Sequence, residues 1–185
     1  MHQRINIICG NRSERMPRLM KEIETQGITN YKFWDGIYES HRHAKENISL
    51  AHKQIVEYAK LAEFESVIIG EDDLMGTHPD SWKYFLQHRP SDFDLYLSSV
   101  FVGEIDENNE VKDFCGLTLY IVHSRFYDKF LAADPHDHLD RALSGNGKYI
   151  VCQPFTFIQY NGFSSNTGKD ETYDNLLQGR NLFGI

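Results

Sequence analysis

A chain of 185 residues fits one domain, which at this size can bury about 70% of its unfolded surface and hold a core without disulfides or a structural metal. The formal net charge of −8 weighs against an electrostatic grip on nucleic acid or on an anionic membrane surface. An anionic ligand would therefore need local neutralisation, by a divalent cation or a few placed arginines.

Hydrophobic residues at 41% and charged residues at 25% are ordinary globular values and point to no activity. Cys9, Cys115 and Cys152 lie far apart without CxxC spacing and read as thiols of a reducing compartment. No run of 18 apolar residues exists, and the N-terminal MHQRINIICGNR lacks a signal-peptide core. A cytoplasmic protein without a membrane span is expected.

In chain order, Arg4 to Cys9 is an apolar run leaving through Gly10 and Asn11, the form of a buried strand. Ser13 is the expected N-cap of a helix carrying Met16, Leu19, Met20 and Ile23, stopped at Gly27. Tyr31 to Trp34 reads as a second strand, closed by Asp35-Gly36. Ile37 to Glu46 is polar and loop-like, and Asn47 is placed to cap a helix with Ile48, Ala51, Ile55, Ala59 and Ala62 on one face. Ser66 to Gly70 follows as a buried strand. This alternation predicts a mainly parallel α/β sheet with right-handed crossovers.

Further on, Pro79 to His88 suggests a helix and Phe93 to Ser98 a strand, while Phe101 to Ile105 and Val111 to Phe114 form two arms around Glu107-Asn108-Asn109. Leu117 to Val122 is a strand, Ser124 to Ala132 and His138 to Leu143 are helical, and Tyr149 to Val151 and Phe155 to Gln159 are extended. Residues 1–166 read as one domain and 167–185 as a polar tail.

The strand Ser66 to Gly70 ends directly in Glu71-Asp72-Asp73. If extended geometry persists, side-chain alternation points Glu71 and Asp73 to one side and Asp72 to the other. This is the carboxyl end of a parallel strand, where open α/β sheets place ligands. Two convergent carboxylates repel unless a cation sits between them, and hard oxygen ligands favour Mg²⁺ or Mn²⁺. The bland alternative is a solvated acidic loop.

Several ordered motifs then resemble the family 25 glycosyltransferases that act on lipopolysaccharide and collagen. They are the first strand followed by Asn11-Arg12-Ser13-Glu14-Arg15, then Phe33-Trp34-Asp35-Gly36, Ser49-Leu50-Ala51-His52, and Val67 to Asp73. Gln153-Pro154 through Gln159 to Ser164 is similar to the family's proline, glutamine and serine stretch. The family's adjacent Ser-His pair is here spread to Ser49 and His52. Compact virus-encoded glycosyltransferases of the GT-A fold are a second comparison.

The resemblance implies a single GT-A domain, a mixed sheet flanked by helices, that takes a nucleotide-diphosphate sugar, UDP-linked by expectation, and a divalent metal. The acceptor would be a glycan or a protein-linked glycan. It implies Asp73 as the metal ligand, with Glu71 assisting and Asp72 beside the donor. Cys9, Gly10 and Asn11 fall near the base or ribose, and Arg12 and Arg15 near the phosphates. Exposed loop charges are the alternative for both arginines. Asp35 matches an acid that bonds the nucleobase; its alternative is a turn-forming Asp-Gly. Ser49 and His52, at i and i+3, can face one anionic ligand near a helix N-terminus, or serve as a capping serine and a surface histidine. On the late helix, Asp140 corresponds to a general base for an inverting displacement or, in a retaining enzyme, to a residue that only positions the sugar, with Gln159 as a nearby polar contact for sugar or phosphate. The cluster His136, Asp137, His138, Asp140 suggests either a second metal site or a helix start with acids favoured by the dipole.

Two rival readings remain. Val67 to Asp73 also matches the first strand and acidic pair of a phosphoacceptor receiver domain, with Asp113 and Lys169 near the spacing for its phosphoacceptor and lysine. The same carboxylates could serve a metal-dependent nucleotidyltransferase or phosphodiesterase, although the loop after the first strand has arginines and one glycine where a lysine-bearing glycine-rich loop is usual.

Overall fold

A computed structural model describes residues 4–10, 14–164 and 166–185. In chain order the elements are β1 (Ile5–Cys9), α1 (Met16–Thr25), β2 (Tyr31–Asp35), α2 (Ala44–Leu61), β3 (Ser66–Glu71), β4 (Leu74–Gly76) and α3 (Ser81–Gln87). There follow β5 (Leu95–Leu97), β6 (Glu110–Val111), β7 (Leu119–His123), a 3-10 turn at Ser124–Phe126, α4 (Tyr127–Ala132), α5 (Leu139–Leu143) and β8 (Tyr149–Val151). The chain closes with β9 (Phe157–Gln159), β10 (Gly162–Ser164), β11 (Lys169–Glu171) and α6 (Asp174–Leu177).

Seven strands form one sheet in the order β2-β1-β3-β7-β5-β8-β6. β1 pairs parallel with β2 and β3, and β5 with β8, while β7 and β6 run against their neighbours. Most strands thus share one direction, the mixed, mainly parallel sheet expected from the alternation of elements. The apolar runs are continuous because both faces of the sheet are covered. Val67 and Ile69 of β3 and Tyr120 and Val122 of β7 pack with Ile55, Val56 and Ala59 of α2. Ile68 and Ile121, one residue out of phase, join Ile5, Ile7, Leu19, Ile23 and Phe85 on the opposite face.

The helix starts differ from the sequence reading. The first turn of α1 carries Pro17, whose fixed φ suits that position, and Arg15 stands at the N-cap; Ser13 lies outside the described residues. α2 begins at Ala44, ahead of the expected cap Asn47. The reason is a capping box: the His43 N–H donates to the Glu46 carboxylate at 2.9 Å, which stabilises a first turn that the polar composition disguises. Ala62 caps the C-terminal end of this helix and is exposed, whereas Ser49, His52 and Val56 on the helix are buried. The two arms around Glu107-Asn108-Asn109 pair through the isolated bridges Val102↔Cys115 and Ile105↔Val111.

At the end of β3 a Cβ on Gly70 would meet Leu74 Cδ2 at 2.9 Å, so glycine lets the chain fold back through Asp72-Asp73 into β4. β4 pairs antiparallel with β9, placing Leu74 opposite Gln159. The stretch 167–185 packs onto the domain: Leu177 is buried, Leu182 bridges Phe155, and the Phe183 ring lies 4.2 Å from that of Tyr84.

Candidate active site

A cavity of about 550 Å³ opens at the carboxyl ends of β1 and β3, walled by the loop after β2, by α2, by the start of α5 and by the β10–β11 hairpin. This is the position at which α/β sheets bind ligands. Its floor is Glu71, Asp72 and Asp73.

Glu71 and Asp73 converge on one side chain. Gln159, carried there by the β4–β9 pairing, donates from Nε2 to Glu71 Oε2 at 2.8 Å and lies 3.5 Å from both Asp73 oxygens. The Tyr160 N–H donates to the Asp73 carbonyl at 2.8 Å, which fixes the turn. Asp72 looks elsewhere: it accepts the Gly10 N–H at 2.7 Å and the Arg15 guanidinium, tying the end of β1 to the end of β3. Arg15 also reaches Asp73 at 3.3 Å and donates to the Phe163 carbonyl of the hairpin.

The electrostatics follow from this crowding. Burial first, then the Glu71 charge, with a smaller push from Asp72, raise the Asp73 carboxyl from its ordinary 3.8 to about 7, against the opposing pull of Arg15 and Gln159. Burial opposes charge on Arg15, but Asp73 and Asp72 outweigh it and hold its guanidinium above the ordinary value. Among the described residues no group of three or more His, Cys, Asp or Glu side chains is arranged to hold a metal ion. The donor set nevertheless fits a hard cation. Glu71 and Asp73 already share one donor, and Asp73 is a buried carboxylate that must share Arg15 with Asp72.

On α2, His52 lines the cavity and is 2% exposed. Its Nε2 lies 3.1 Å from Glu71 Oε1 and its Nδ1 2.7 Å from the Tyr120 hydroxyl. Ser49 is not brought to the cavity. It is fully buried, and its hydroxyl has no hydrogen-bond partner among the described residues. The helix starts earlier than the sequence reading placed it, so the free N–H groups of its first turn lie at 44–47 and not beside Ser49.

Gly10 lines the cavity, but the Cys9 thiol turns back toward the Ile7 carbonyl, and burial, then Asp72 and Asp35, push it up to about 12. Asn11 and Arg12 lie outside the described residues. Asp35 is exposed at the end of β2, and the following Gly36 and Ile37 form the wall. Asp140 lines the cavity in the first turn of α5, its two oxygens accepting the Gly116 and Arg141 N–H groups, each at 2.9 Å.

The remaining sequence candidates disperse. His136 pairs with Glu46 at 2.6 Å and His138 lies 3.4 Å from Asn166, so the histidine and aspartate run does not gather around one point. Asp113 pairs with Arg141 and Lys169 with Glu171, leaving the receiver reading without its lysine or phosphoacceptor at the acidic cluster.

Two aromatic residues at the site escape the sequence reading. Tyr120 anchors His52 from β7. Tyr173 comes from the stretch read as a tail, lines the cavity, and stacks on Phe101 with centroids 4.9 Å apart. Burial, then the Asp73 and Glu71 charges, push its hydroxyl up to about 12.

The strand order, the acidic turn after β3 and the cavity above it define a single α/β domain of the GT-A type. Three solved structures share the architecture. Drosophila β1,4-galactosyltransferase 7, a mutant complexed with manganese, UDP-Gal and xylobiose, aligns over 99% of this chain and 76% of its own, with TM-score 0.53 and 8% identity. HddC from Yersinia pseudotuberculosis aligns over 85% and 93%, with TM-score 0.52 and 17% identity. A glycosyltransferase involved in glycosylation of the major capsid of PBCV-1 aligns over 94% and 98%, with TM-score 0.50 and 14% identity. No family model and no curated protein matches the chain by sequence. No helix among the described residues is long and apolar enough to cross a membrane.

Proposed function

We propose that this chain is a glycosyltransferase that moves a sugar from a nucleotide-diphosphate sugar, with UDP as the expected nucleotide, to a hydroxyl of a glycan or protein-linked acceptor. The observation that carries the reading is the convergence of Glu71 and Asp73 on Gln159 at the floor of the cavity, in a GT-A domain. Asp73 and Glu71 would hold Mn²⁺ or Mg²⁺. A bound cation supplies neutralisation of the diphosphate and stabilises it as a leaving group. The manganese and UDP-Gal bound to the Drosophila enzyme support that choice of ligands.

The chain's own residues divide the remaining tasks. Gly10, at the end of β1, and Gly36 and Ile37, after β2, form the wall on which the nucleoside rests. Arg15, now held by Asp72 and Asp73, is a cation within the cavity that can turn toward the diphosphate. In an inverting displacement Asp140 takes the acceptor hydroxyl proton as the oxygen bonds the anomeric carbon. The bond from that carbon to the diphosphate breaks, and its electron pair leaves with the diphosphate. Tyr173 and Phe101 form the apolar wall on the Asp140 side, suited to the carbon face of a sugar ring.

The test is release of nucleoside diphosphate from a panel of nucleotide sugars with Mn²⁺, with and without glycan acceptors. One donor class should turn over, and Asp73→Ala should abolish turnover. Failure of every donor to bind or react, together with unchanged behaviour of Asp73→Ala, removes the proposal.

A further inference from the structure

A line of three side chains, Tyr120, His52 and Glu71, runs from the core to the cavity floor. β3 and β7 are paired so that Ile69 lies opposite Tyr120, which puts Ile69, Glu71 and Tyr120 on the sheet face covered by α2. His52 stands between them, its ring stacked 5.9 Å from that of Tyr120, its Nδ1 2.7 Å from the hydroxyl and its Nε2 3.1 Å from Glu71 Oε1. Both His52 and Tyr120 are closed to solvent.

The chemistry of these groups fixes the direction of the bonds. A carboxylate only accepts, so His52 Nε2 carries a proton and donates to Glu71; when the ring carries that proton alone, Nδ1 is the acceptor and the Tyr120 hydroxyl donates to it. Burial, then the nearby Glu71 charge, hold the Tyr120 hydroxyl well above its ordinary value, so its proton is retained for that bond. Glu71 is thereby gripped from two sides, His52 on Oε1 and Gln159 on Oε2. Each grip leaves lone pairs on the carboxylate free while its plane is held. A buried tyrosine and a buried histidine used in this way make an oriented support for an acid at a cavity floor, beyond anything that packing requires.

We propose that His52 and Tyr120 are positioning residues that hold the Glu71 carboxylate in the orientation in which it and Asp73 take a divalent cation. This rests on the reading of Glu71 and Asp73 as the cation's carboxylates. Outer supports of this type typically change metal affinity by about 10–100-fold when removed. His52→Phe keeps the apolar bulk of the ring and removes both nitrogens. His52→Gln keeps a donor near the position of Nε2, since a glutamine amide nitrogen reaches about as far as the far nitrogen of an imidazole.

Mn²⁺ affinity of the purified protein, measured by calorimetry and by the loss of the free-Mn²⁺ electron paramagnetic signal, separates the outcomes without any turnover. The expected result is about 10–100-fold weaker binding for His52→Phe. A smaller loss is expected for Tyr120→Phe and near wild-type affinity for His52→Gln. Adding Tyr120→Phe to His52→Gln should change nothing further, because no ring Nδ1 remains to be held. Should His52→Phe fail to fold, Tyr120→Phe, which removes one buried oxygen, carries the test alone. Wild-type affinity in folded His52→Phe and Tyr120→Phe, with binding abolished in Asp73→Ala, overturns the positioning role and leaves the metal site standing. Equal losses in His52→Gln and His52→Phe overturn it as well, since packing would then explain both. Absence of Mn²⁺ binding by the wild type removes the metal reading and this role with it.

Discussion

Replacing Asp73 by asparagine is the perturbation whose consequence follows most directly from the site. Asp73 is 8% exposed, and its carboxyl titrates at about 7 in the folded protein against an ordinary 3.8, because burial and Glu71 disfavour its charge. The folded state therefore binds a proton that the unfolded chain has already lost between these two values. The contribution of Asp73 to metal-free stability therefore falls as pH rises from about 4 to about 7 and levels off above that. At about 1.36 kcal/mol for each pKa unit, the full fall is on the order of 4 kcal/mol. Asp73→Asn removes the charge and keeps the shape. In EDTA, wild type and variant should match near pH 4, and the variant should become the more stable by a few kcal/mol at pH 8. Added Mn²⁺ should close that gap by stabilising the wild type alone. Urea unfolding across the pH range, read as the difference between the two proteins, cancels titrations they share. A difference that stays flat from pH 4 to 8, or that favours the wild type at pH 8 without metal, refutes the account of Asp73 as a buried carboxylate whose charge the shared Arg15 does not offset.

Three further outcomes are expected. Arg15→Ala leaves Asp72 and Asp73 without their shared cation, so urea unfolding without metal at pH 7 should show a loss on the order of 3 kcal/mol, partly recovered with Mn²⁺. Asp140→Asn should leave slow donor hydrolysis in place and lower transfer to acceptor by about 10²–10⁴-fold if the displacement inverts, as product analysis with and without acceptor will show. Gly116→Ala places a Cβ 2.9 Å from the Phe101 ring at a residue with φ +112, and should lower thermal stability by about 1–3 kcal/mol while disturbing the N–H that holds Asp140.

The parts of the site legible in the sequence are those carried by one strand or one turn. An apolar run ending in three acids suffices to place Glu71, Asp72 and Asp73 at the mouth of β3, whereas Gln159 is singled out only by the resemblance and reaches Glu71 through the pairing of β4 with β9. The helix carrying His52 shows where local reading stops. Familiar cap residues favour Asn47, yet His43 with Glu46 forms the box, and this shift moves Ser49 away from the free N–H groups while His52 still meets Glu71. The partners of Arg15 and the docking of Tyr173 lie further beyond reach. Arg15 closes contacts with Asp72 and Phe163, 57 and 148 residues away, and no periodicity encodes such pairs. Tyr173 sits in a polar stretch whose anchors, Leu177 and Leu182, have no regular spacing, so its docking depends on a surface that only the folded domain provides.

These long-range contacts bear on the charge problem that the sequence poses at the outset. A chain of net charge −8 presents three carboxylates at the floor of the cavity proposed to receive a diphosphate. Arg15 offsets part of that charge by bridging Asp72 and Asp73, and in doing so it also ties the β10–β11 hairpin through Phe163. It cannot hold both carboxylates and a diphosphate at full strength, since its five donors are fixed in one fork. In the proposed reaction a divalent cation on Glu71 and Asp73 frees Arg15 from Asp73, so that metal binding and phosphate binding reinforce each other. The raised Asp73 carboxyl and the shared arginine thus express one physical condition, a buried acidic site arranged for more positive charge than the chain itself contributes.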